Sequence, residues 1–316
     1  MKRTIQELAN AVLKETEKII VGKESEIKLV IMSVLSDGQV LLEDLPGSGK
    51  TTLVKTLSKA LGLESGRIQF VPDLLPSDIT GMVVYNQKIG DFELRRGPVM
   101  TNVLLADEIN RATPRTQSAL LECMQENAVT VSGRRYKLSD CFFVVATQNP
   151  IETQGTFVLP EAQSDRFMIK MSLGYPESKM EAQMLDTYRT RNPLDEIKSV
   201  CGMSDILRAR EEIEKVTVSE PVRSYIVDIA NATRTNEKIR VGASPRACLS
   251  LMRMSQAYAA MDARDYILPD DVKLMAPFCL CHRIVLNSAQ SVRLSHSANA
   301  VIEEILDSVP APIENS

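Results

Sequence analysis

Residues 44–52 read Asp44-Leu45-Pro46-Gly47-Ser48-Gly49-Lys50-Thr51-Thr52. An apolar run, Val40-Leu41-Leu42, precedes them, and a helical run from Leu53 to Leu61 follows. A glycine-containing turn between strand and helix, closing on Gly-Lys-Thr, has the form of a phosphate loop. Backbone N–H groups and the positive end of the helix dipole cradle a polyphosphate there, and Lys50 reaches the β- and γ-phosphates. The general pattern opens on glycine, and this chain has Asp44 in that place. Further on, Val103-Leu104-Leu105-Ala106-Asp107-Glu108 reads as an apolar strand that delivers two adjacent carboxylates. A magnesium-dependent nucleoside triphosphatase needs such a pair, one carboxylate for the metal shell and the other to polarise a water.

Outward from these two segments, short aliphatic runs alternate with helical ones up to about residue 174. The expected strands are Gln39–Glu43, Arg67–Val71, Val103–Asp107, Phe142–Thr147 and Met168–Leu173. Such runs suit a parallel sheet covered on both faces, and the fold class expected is a three-layer α/β nucleotide-binding core. Helices are expected over residues 3–20 and Ser25–Ser36, with Val21-Gly22 between them. Two interruptions read as β-hairpins. One, Met82–Asn86 with Asp91–Arg95, follows a short helix from Leu74 to Ile79 and looks inserted into a helix. The other is Ala128–Val131 with Arg135–Leu138 around Ser132-Gly133. Surface insertions on such a core commonly carry partner contacts.

After Tyr175-Pro176 the strand signals stop. Helices are expected over Ser178–Thr190, Ser204–Glu214, Pro221–Thr235, Pro245–Met261 and Pro269–Val285, with Arg191-Asn192-Pro193-Leu194 as a linker. The division expected is residues 1–190 for the α/β core with its N-terminal helix and 191–316 for an all-α lid, frayed after Pro310.

The chain of 316 residues is 44% apolar and 25% charged, ordinary values for a soluble protein large enough for two domains. Its net charge of −4 argues against a nucleic-acid partner, and the basic clusters Arg95-Arg96 and Arg134-Arg135-Tyr136-Lys137 read as solvated hairpin faces. The first residues, Met1 to Leu8, are amphipathic, unlike a signal peptide or membrane span. Six scattered cysteines favour a reducing cytoplasm over a disulfide framework. The tract Cys279-Leu280-Cys281-His282 is too tightly spaced for the usual zinc pairs and reads as structural thiols in an apolar helix.

Four ordered motifs stand along the chain: Leu41-Leu42-Glu43-Asp44-Leu45-Pro46-Gly47, Ala106-Asp107-Glu108-Ile109-Asn110-Arg111-Ala112, Ala146-Thr147-Gln148-Asn149-Pro150 and Leu159-Pro160-Glu161-Ala162-Gln163-Ser164-Asp165-Arg166-Phe167. Together they resemble the MoxR family of AAA+ ATPases, and the resemblance covers nearly the whole chain. An acidic residue at position 44 matches that family's version of the loop. The hairpins near Asp91 and Gly133 resemble its helix-2 insert and pre-sensor insertion. The resemblance implies that Asp44 to Thr52 hold the nucleotide, that Thr51 and Asp107 hold Mg²⁺, and that Glu108 activates water with Asn149 helping to place it. It implies that Arg166 is an arginine finger reaching a neighbouring subunit, with Arg111 and then Arg115 as competitors. Arg246, in Gly242-Ala243-Ser244-Pro245-Arg246-Ala247, corresponds to a second sensor that couples lid and nucleotide, and Val21-Gly22 to an adenine contact.

The implied protein is a ring oligomer, hexameric in expectation, that hydrolyses ATP with Mg²⁺ to remodel, mature or activate partner complexes. Such partners often contain a von Willebrand factor A domain or require metal insertion. A magnesium-chelatase-like ATPase subunit shares this core, as does a nucleic-acid motor, which salt-sensitive stimulation by DNA would mark. A small-molecule kinase also uses a phosphate loop, but it closes over its acceptor within one chain and has no use for a finger acting across subunits.

Overall fold

The computed structural model describes residues 3–149, 156–157, 159–176, 178–188, 193–287 and 297–312. Pro150, the end of the expected Ser178–Thr190 helix, and the Arg191-Asn192 half of the expected linker lie outside them. The strands in chain order are β1 (Val40–Glu43), β2 (Ser65–Gln69), β3 (Gly81–Asn86), β4 (Asp91–Arg96), β5 (Val103–Asp107) and β6 (Ala128–Val131). Then come β7 (Arg134–Lys137), β8 (Phe143–Gln148), β9 (Ile169–Met171), β10 (Ile239–Val241) and β11 (Val285–Leu286). The helices of the first half are α1 (Ile5–Thr16), α2 (Glu24–Leu35), α3 (Lys50–Ala60), α4 (Pro76–Thr80), α5 (Pro114–Glu126) and α6 (Glu161–Ser164). Those of the second half are α7 (Ser178–Tyr188), α8 (Met203–Ile213), α9 (Glu220–Thr235), α10 (Pro245–Met261), α11 (Pro269–Leu280) and α12 (Ala298–Ser308).

Five parallel strands form the central sheet in the order β2-β5-β8-β1-β9. The chain visits β1 first yet places it between β8 and β9, so the loops leaving β1, β5 and β8 gather at one carboxyl edge, where open α/β sheets bind ligands. The register sets Gln69 beside Asp107 and Leu42 beside Thr147. Side chains alternate through the sheet. Val40, Leu42, Val103, Leu105, Phe143 and Val145 join a core with α1, α2, α3 and the helices after residue 200. Leu41, Leu104, Ala106, Val144 and Ala146 join a second core with α5 and the bases of both hairpins.

Local chemistry sets the element ends. Thr4 and Glu7 form a reciprocal capping box on α1, the Thr4 hydroxyl accepting from the Glu7 N–H at 3.1 Å and the Glu7 carboxylate from the Thr4 N–H at 2.9 Å. The β6–β7 turn is Ser132-Gly133, both at positive φ, as a two-residue hairpin turn requires. At the base of the β3–β4 hairpin, Gly81 and Gly97 cross at close range. A Cβ on Gly81 would stand 2.4 Å from the Arg95 carbonyl oxygen, and one on Gly97 2.2 Å from that of Ile79. A single turn at Gly97–Met100 follows this hairpin, so the helix into which it looked inserted exists only on its amino side, as α4.

The expected all-α lid carries one short β-ribbon. The helix expected to run to Val285 stops at Leu280, and Val285–Leu286 pairs antiparallel with Ile239–Val241. Beyond Leu280, residues 282–283 turn inward as a latch on the core. The His282 Nε2 lies 3.0 Å from the Phe167 carbonyl oxygen, and the Ser164 hydroxyl donates to the His282 carbonyl at 3.0 Å. Among the described residues no helix is long and apolar enough to cross a membrane.

Burial pushes the His282 pKa well below the ordinary imidazole value, and the positive charges of Arg283 and Lys170 act in the same direction. The folded chain therefore keeps this ring neutral, while the unfolded chain binds a proton below about pH 6.5. The stability at stake is complete above that pH and is lost as pH falls below it, by about 1.4 kcal/mol per unit. Urea midpoints measured from pH 7.5 to 5 are expected to drop more steeply in the wild type than in His282→Gln. Parallel curves would show that the ring does not titrate in this way.

Candidate active site

A cleft of about 420 Å³ opens at the carboxyl edge of the sheet. Its walls are Pro46 to Thr52, Arg67, Gln69, Asp107, Glu108 and Thr147 to Asn149, with Asp44 beneath. Gly47 and Gly49 have φ of +83° and +87°, and a Cβ on either would meet nothing within 4 Å. The loop is thus held in a conformation that favours glycine while open space lies above it, as a phosphate cradle requires. Gly49 caps α3, whose first residue is Lys50. The Lys50 ammonium donates to the Leu45 carbonyl at 2.8 Å, the Asp44 carbonyl at 3.3 Å and the Ser48 hydroxyl at 3.4 Å.

The two carboxylates are fixed by different neighbours. Asp107 is buried; its Oδ1 accepts from the Thr147 hydroxyl at 2.6 Å, and its Oδ2 accepts from the Arg67 guanidinium at 2.7 Å. Glu108 has φ of +57°, uncommon for a side chain of this size, and its N–H donates to the same Thr147 hydroxyl at 2.8 Å. That turn aims the Glu108 carboxylate toward the edge strand. There Gln69 donates to Oε2 at 2.7 Å, and the Arg111 Nε pairs with the same oxygen at 3.1 Å. One threonine hydroxyl thus registers both acids.

Thr51 and Thr52 line the cleft from the first turn of α3, and Asn149, 5% exposed, closes its far side. The Asp44 carboxylate points away from the phosphate loop. It accepts from the Ser172 hydroxyl at 2.6 Å, the Leu173 N–H at 2.7 Å and the Gly174 N–H at 2.9 Å, tying β1 to the exit of β9. A smaller pocket beside it, lined by Leu45, Ser48, Gly174 and Tyr175, adjoins the loop. Lys23 donates to the Tyr175 carbonyl at 3.1 Å, which brings the Val21-Gly22 turn near this pocket, and Met180 packs over Gly22.

Of the expected catalytic residues, Arg166 and Arg246 lie outside the cleft. Arg166 lines a separate surface pocket with Ser118, Glu122, Gln125, Glu126 and Gln163. Arg246, near the start of α10, has its Nη1 3.8 Å from Asp165, the residue preceding Arg166. Arg111 faces its own chain's Glu108, and Arg115 is exposed on α5. Burial pushes the thiols of Cys279 and Cys281 up to about 12, and no group of three metal-ligating side chains occurs among the described residues.

Arg67 and Gln69 are the residues that pattern reading missed. Both stand on β2, which was expected as one more aliphatic strand, yet it is an edge strand with polar residues at every second position. That i, i+2 polarity was the available signal.

Over residues 39–169 the sequence matches the ATPase family associated with various cellular activities (AAA), and over residues 231–305 the AAA lid domain. With the cleft described above, these make the protein an AAA+ ATPase, which binds and hydrolyses ATP. It is 43% identical to the uncharacterized protein YeaC of Bacillus subtilis (strain 168), over 98% of this chain and 96% of that one. It is 39% identical to Chaperone MoxR1 of Mycobacterium tuberculosis, over 96% of this chain and 82% of the relative. The crystal structure of a protein from Cytophaga hutchinsonii assigned as an ATPase matches with a TM-score of 0.92 at 40% identity, covering 98% of this chain and 96% of that one. The chain belongs to the MoxR family of AAA+ ATPases.

Thr147→Val keeps the shape of the side chain and removes the hydroxyl that both acids use. The Glu108 N–H then loses its acceptor and Asp107 one donor. Turnover is expected to fall by about tenfold to a hundredfold, the effect of a small misplacement of reacting groups. ATP affinity, read with a fluorescent analogue, should change little. Unchanged turnover would remove Thr147 from the positioning of the acids.

Proposed function

We propose that the protein is one subunit of a ring, hexameric in the simplest form, which hydrolyses ATP between subunits and uses the cycle to remodel a separate partner protein. One observation carries the reading. Lys50, Thr51, Asp107, Glu108 and Asn149 share one cleft, whereas Arg166 lines a separate surface pocket and Arg246 lies 3.8 Å from Asp165, the residue before Arg166. A neighbouring subunit that docked these residues against the cleft would add its guanidinium groups to Lys50, Arg67 and Arg111, which the site takes from its own chain. Glu108, turned outward and held by Gln69 and Arg111, is the base that orients the attacking water, and Asn149 helps to place it. Lys50 exchanges its loop carbonyls for the more strongly accepting phosphates. Arg166 of the neighbour stabilises charge developing on the γ-phosphate. Arg246, near the start of α10, is the second sensor that couples lid position to the nucleotide.

The Thr51 hydroxyl and the Asp107 carboxylate suit Mg²⁺, a hard cation usually held by few protein oxygens with water and phosphate completing the shell. When bound, Mg²⁺ neutralises phosphate charge. The pocket by Ser48 and Tyr175 would take the base, with the Val21-Gly22 turn at its rim. Chaperone-like work follows from the relative named Chaperone MoxR1. The partner contact is placed on the β3–β4 hairpin, whose exposed Tyr85 and Phe92 rings meet edge to face at 5.3 Å with Ile89 exposed nearby. A partner with a von Willebrand factor A domain, or one that matures by metal insertion, fits this reading.

The test is ATPase activity per milligram against protein concentration, for the wild type and Arg166→Ala. Specific activity is expected to rise with concentration, and the variant to lose about 10³-fold while still binding ATP. A flat profile with an active variant would overturn the shared site.

A further inference from the structure

Arg283 is a buried cation in the joint between lid and core, with its side chain 1% exposed. One terminal nitrogen, Nη2, donates to the Asp165 carbonyl at 3.1 Å, the Phe167 carbonyl at 2.6 Å and the Ser250 hydroxyl at 2.9 Å. The other, Nη1, donates to the Met168 carbonyl at 3.3 Å and the Cys279 carbonyl at 2.7 Å. Its Nε stands 3.0 Å from the Asp165 carboxylate as an ion pair. Three of these carbonyls belong to residues 165, 167 and 168, which bracket Arg166. Neighbouring contacts come from the same side, since Ser164 and Phe167 bond to His282 and the Asp165 carboxylate accepts from the Ser244 hydroxyl at 2.8 Å.

Hydrogen bonds or ion pairs tie Ser164, Asp165, Phe167 and Met168 to this latch, while the Arg166 side chain lines the outer pocket. A buried charge is rarely the most stable way to fill a core, because well-packed apolar side chains often do as well or better. A planar fork offers what apolar packing cannot, several donors in fixed directions. Here they fix the backbone on both sides of one outward-facing arginine.

We infer that Arg283 is a positioning residue for Arg166, so that the lid of one subunit sets the geometry of ATP hydrolysis in the next. The inference rests on the reading of Arg166 as a residue that acts on a neighbouring subunit. Arg283 touches neither nucleotide nor water. It acts through the Asp165–Met168 backbone, and a displacement of α11 is carried to the guanidinium that meets the neighbour's γ-phosphate. Latch, finger and second-sensor arginine then move as one body, because Asp165 pairs with both Arg283 and Arg246.

The experiment is a two-component complementation in full-length protein. Glu108→Gln subunits cannot hydrolyse but present an intact Arg166. Arg166→Ala subunits keep their own acids but lack the finger. Each is expected to be inactive alone and the mixture active, and an inactive mixture would remove the shared-site reading and this inference with it. Arg283→Lys is then added to one component at a time. In the Glu108→Gln donor it is expected to lower the mixture's turnover by about tenfold to a hundredfold. In the Arg166→Ala acceptor, which has no finger to position, the loss should be several times smaller. Equal losses in both arms, or none in the donor, would overturn the positioning role while leaving the shared site standing. Melting midpoint and binding of a fluorescent ATP analogue are read on each component. If Arg283→Lys does not fold, Ser250→Ala replaces it, removing one bond and keeping the charge pair. The same asymmetry is then expected at about two- to tenfold, the worth of one hydrogen bond, and a symmetric result counts against the role equally.

Discussion

The Asp165 carboxylate balances the buried Arg283, accepts from Ser244 at the head of α10, and lies within ion-pair distance of Arg246. An uncompensated guanidinium at that depth would carry a desolvation penalty of several kcal/mol. The joint therefore holds only while both charges are in place. The way the lid meets the sheet depends on this pair, because the apolar contact between them is continuous and directionless. One core runs from Val40 and Leu42 through α2 to α10 and α11. Hydrophobic burial makes that contact stable but does not select an angle; the fork of Arg283 and the cap of Ser244 do.

A second constraint works at the carboxyl edge. Asp107 and Glu108 are adjacent in sequence, and a regular strand would point them to opposite faces. The positive φ of Glu108 breaks the alternation, and the Thr147 hydroxyl on the neighbouring strand holds the break in place. Around the acids the cations come from three elements: Lys50 from α3, Arg67 from the edge strand and Arg111 from the turn after β5. Such interleaving keeps the charges of the cleft close to balance.

The parts written in local chemistry were readable before any coordinates. Glycine and lysine spacing at 47–50, aliphatic runs at 40–43 and 103–107, and Ser132-Gly133 at a tight turn each depend on a few contiguous residues. What escaped depends on distant partners. Helix α5 buries a narrow face that includes Thr116 and Gln117, so its apolar signal is weak. The ribbon of Ile239–Val241 and Val285–Leu286 joins segments more than forty residues apart. Asp44 has its place in the loop from the motif and lines the cleft, while the ties of its carboxylate to residues 172–174 show only in the fold. Arg246 is expected from the motif to couple lid position to the nucleotide, and its approach to Asp165 shows only in the fold. Arg283 drew no attention, because only the folded joint shows that its donors meet the carbonyls around Arg166.

The crossing of Gly81 and Gly97 separates the hairpin's anchorage from its tip. All the steric demand falls on two positions without side chains and on the Ile79 and Arg95 carbonyls they approach. Beyond that crossing, Tyr85, Ile89 and Phe92 are exposed, so little of the core constrains them. Val83 and Leu94 still pack on the second core, so the part set apart from it is the tip, residues 85–92. Side chains at the tip can change while the two glycines keep the base of the hairpin in place, so what the hairpin presents to solvent is set apart from the packing that carries it.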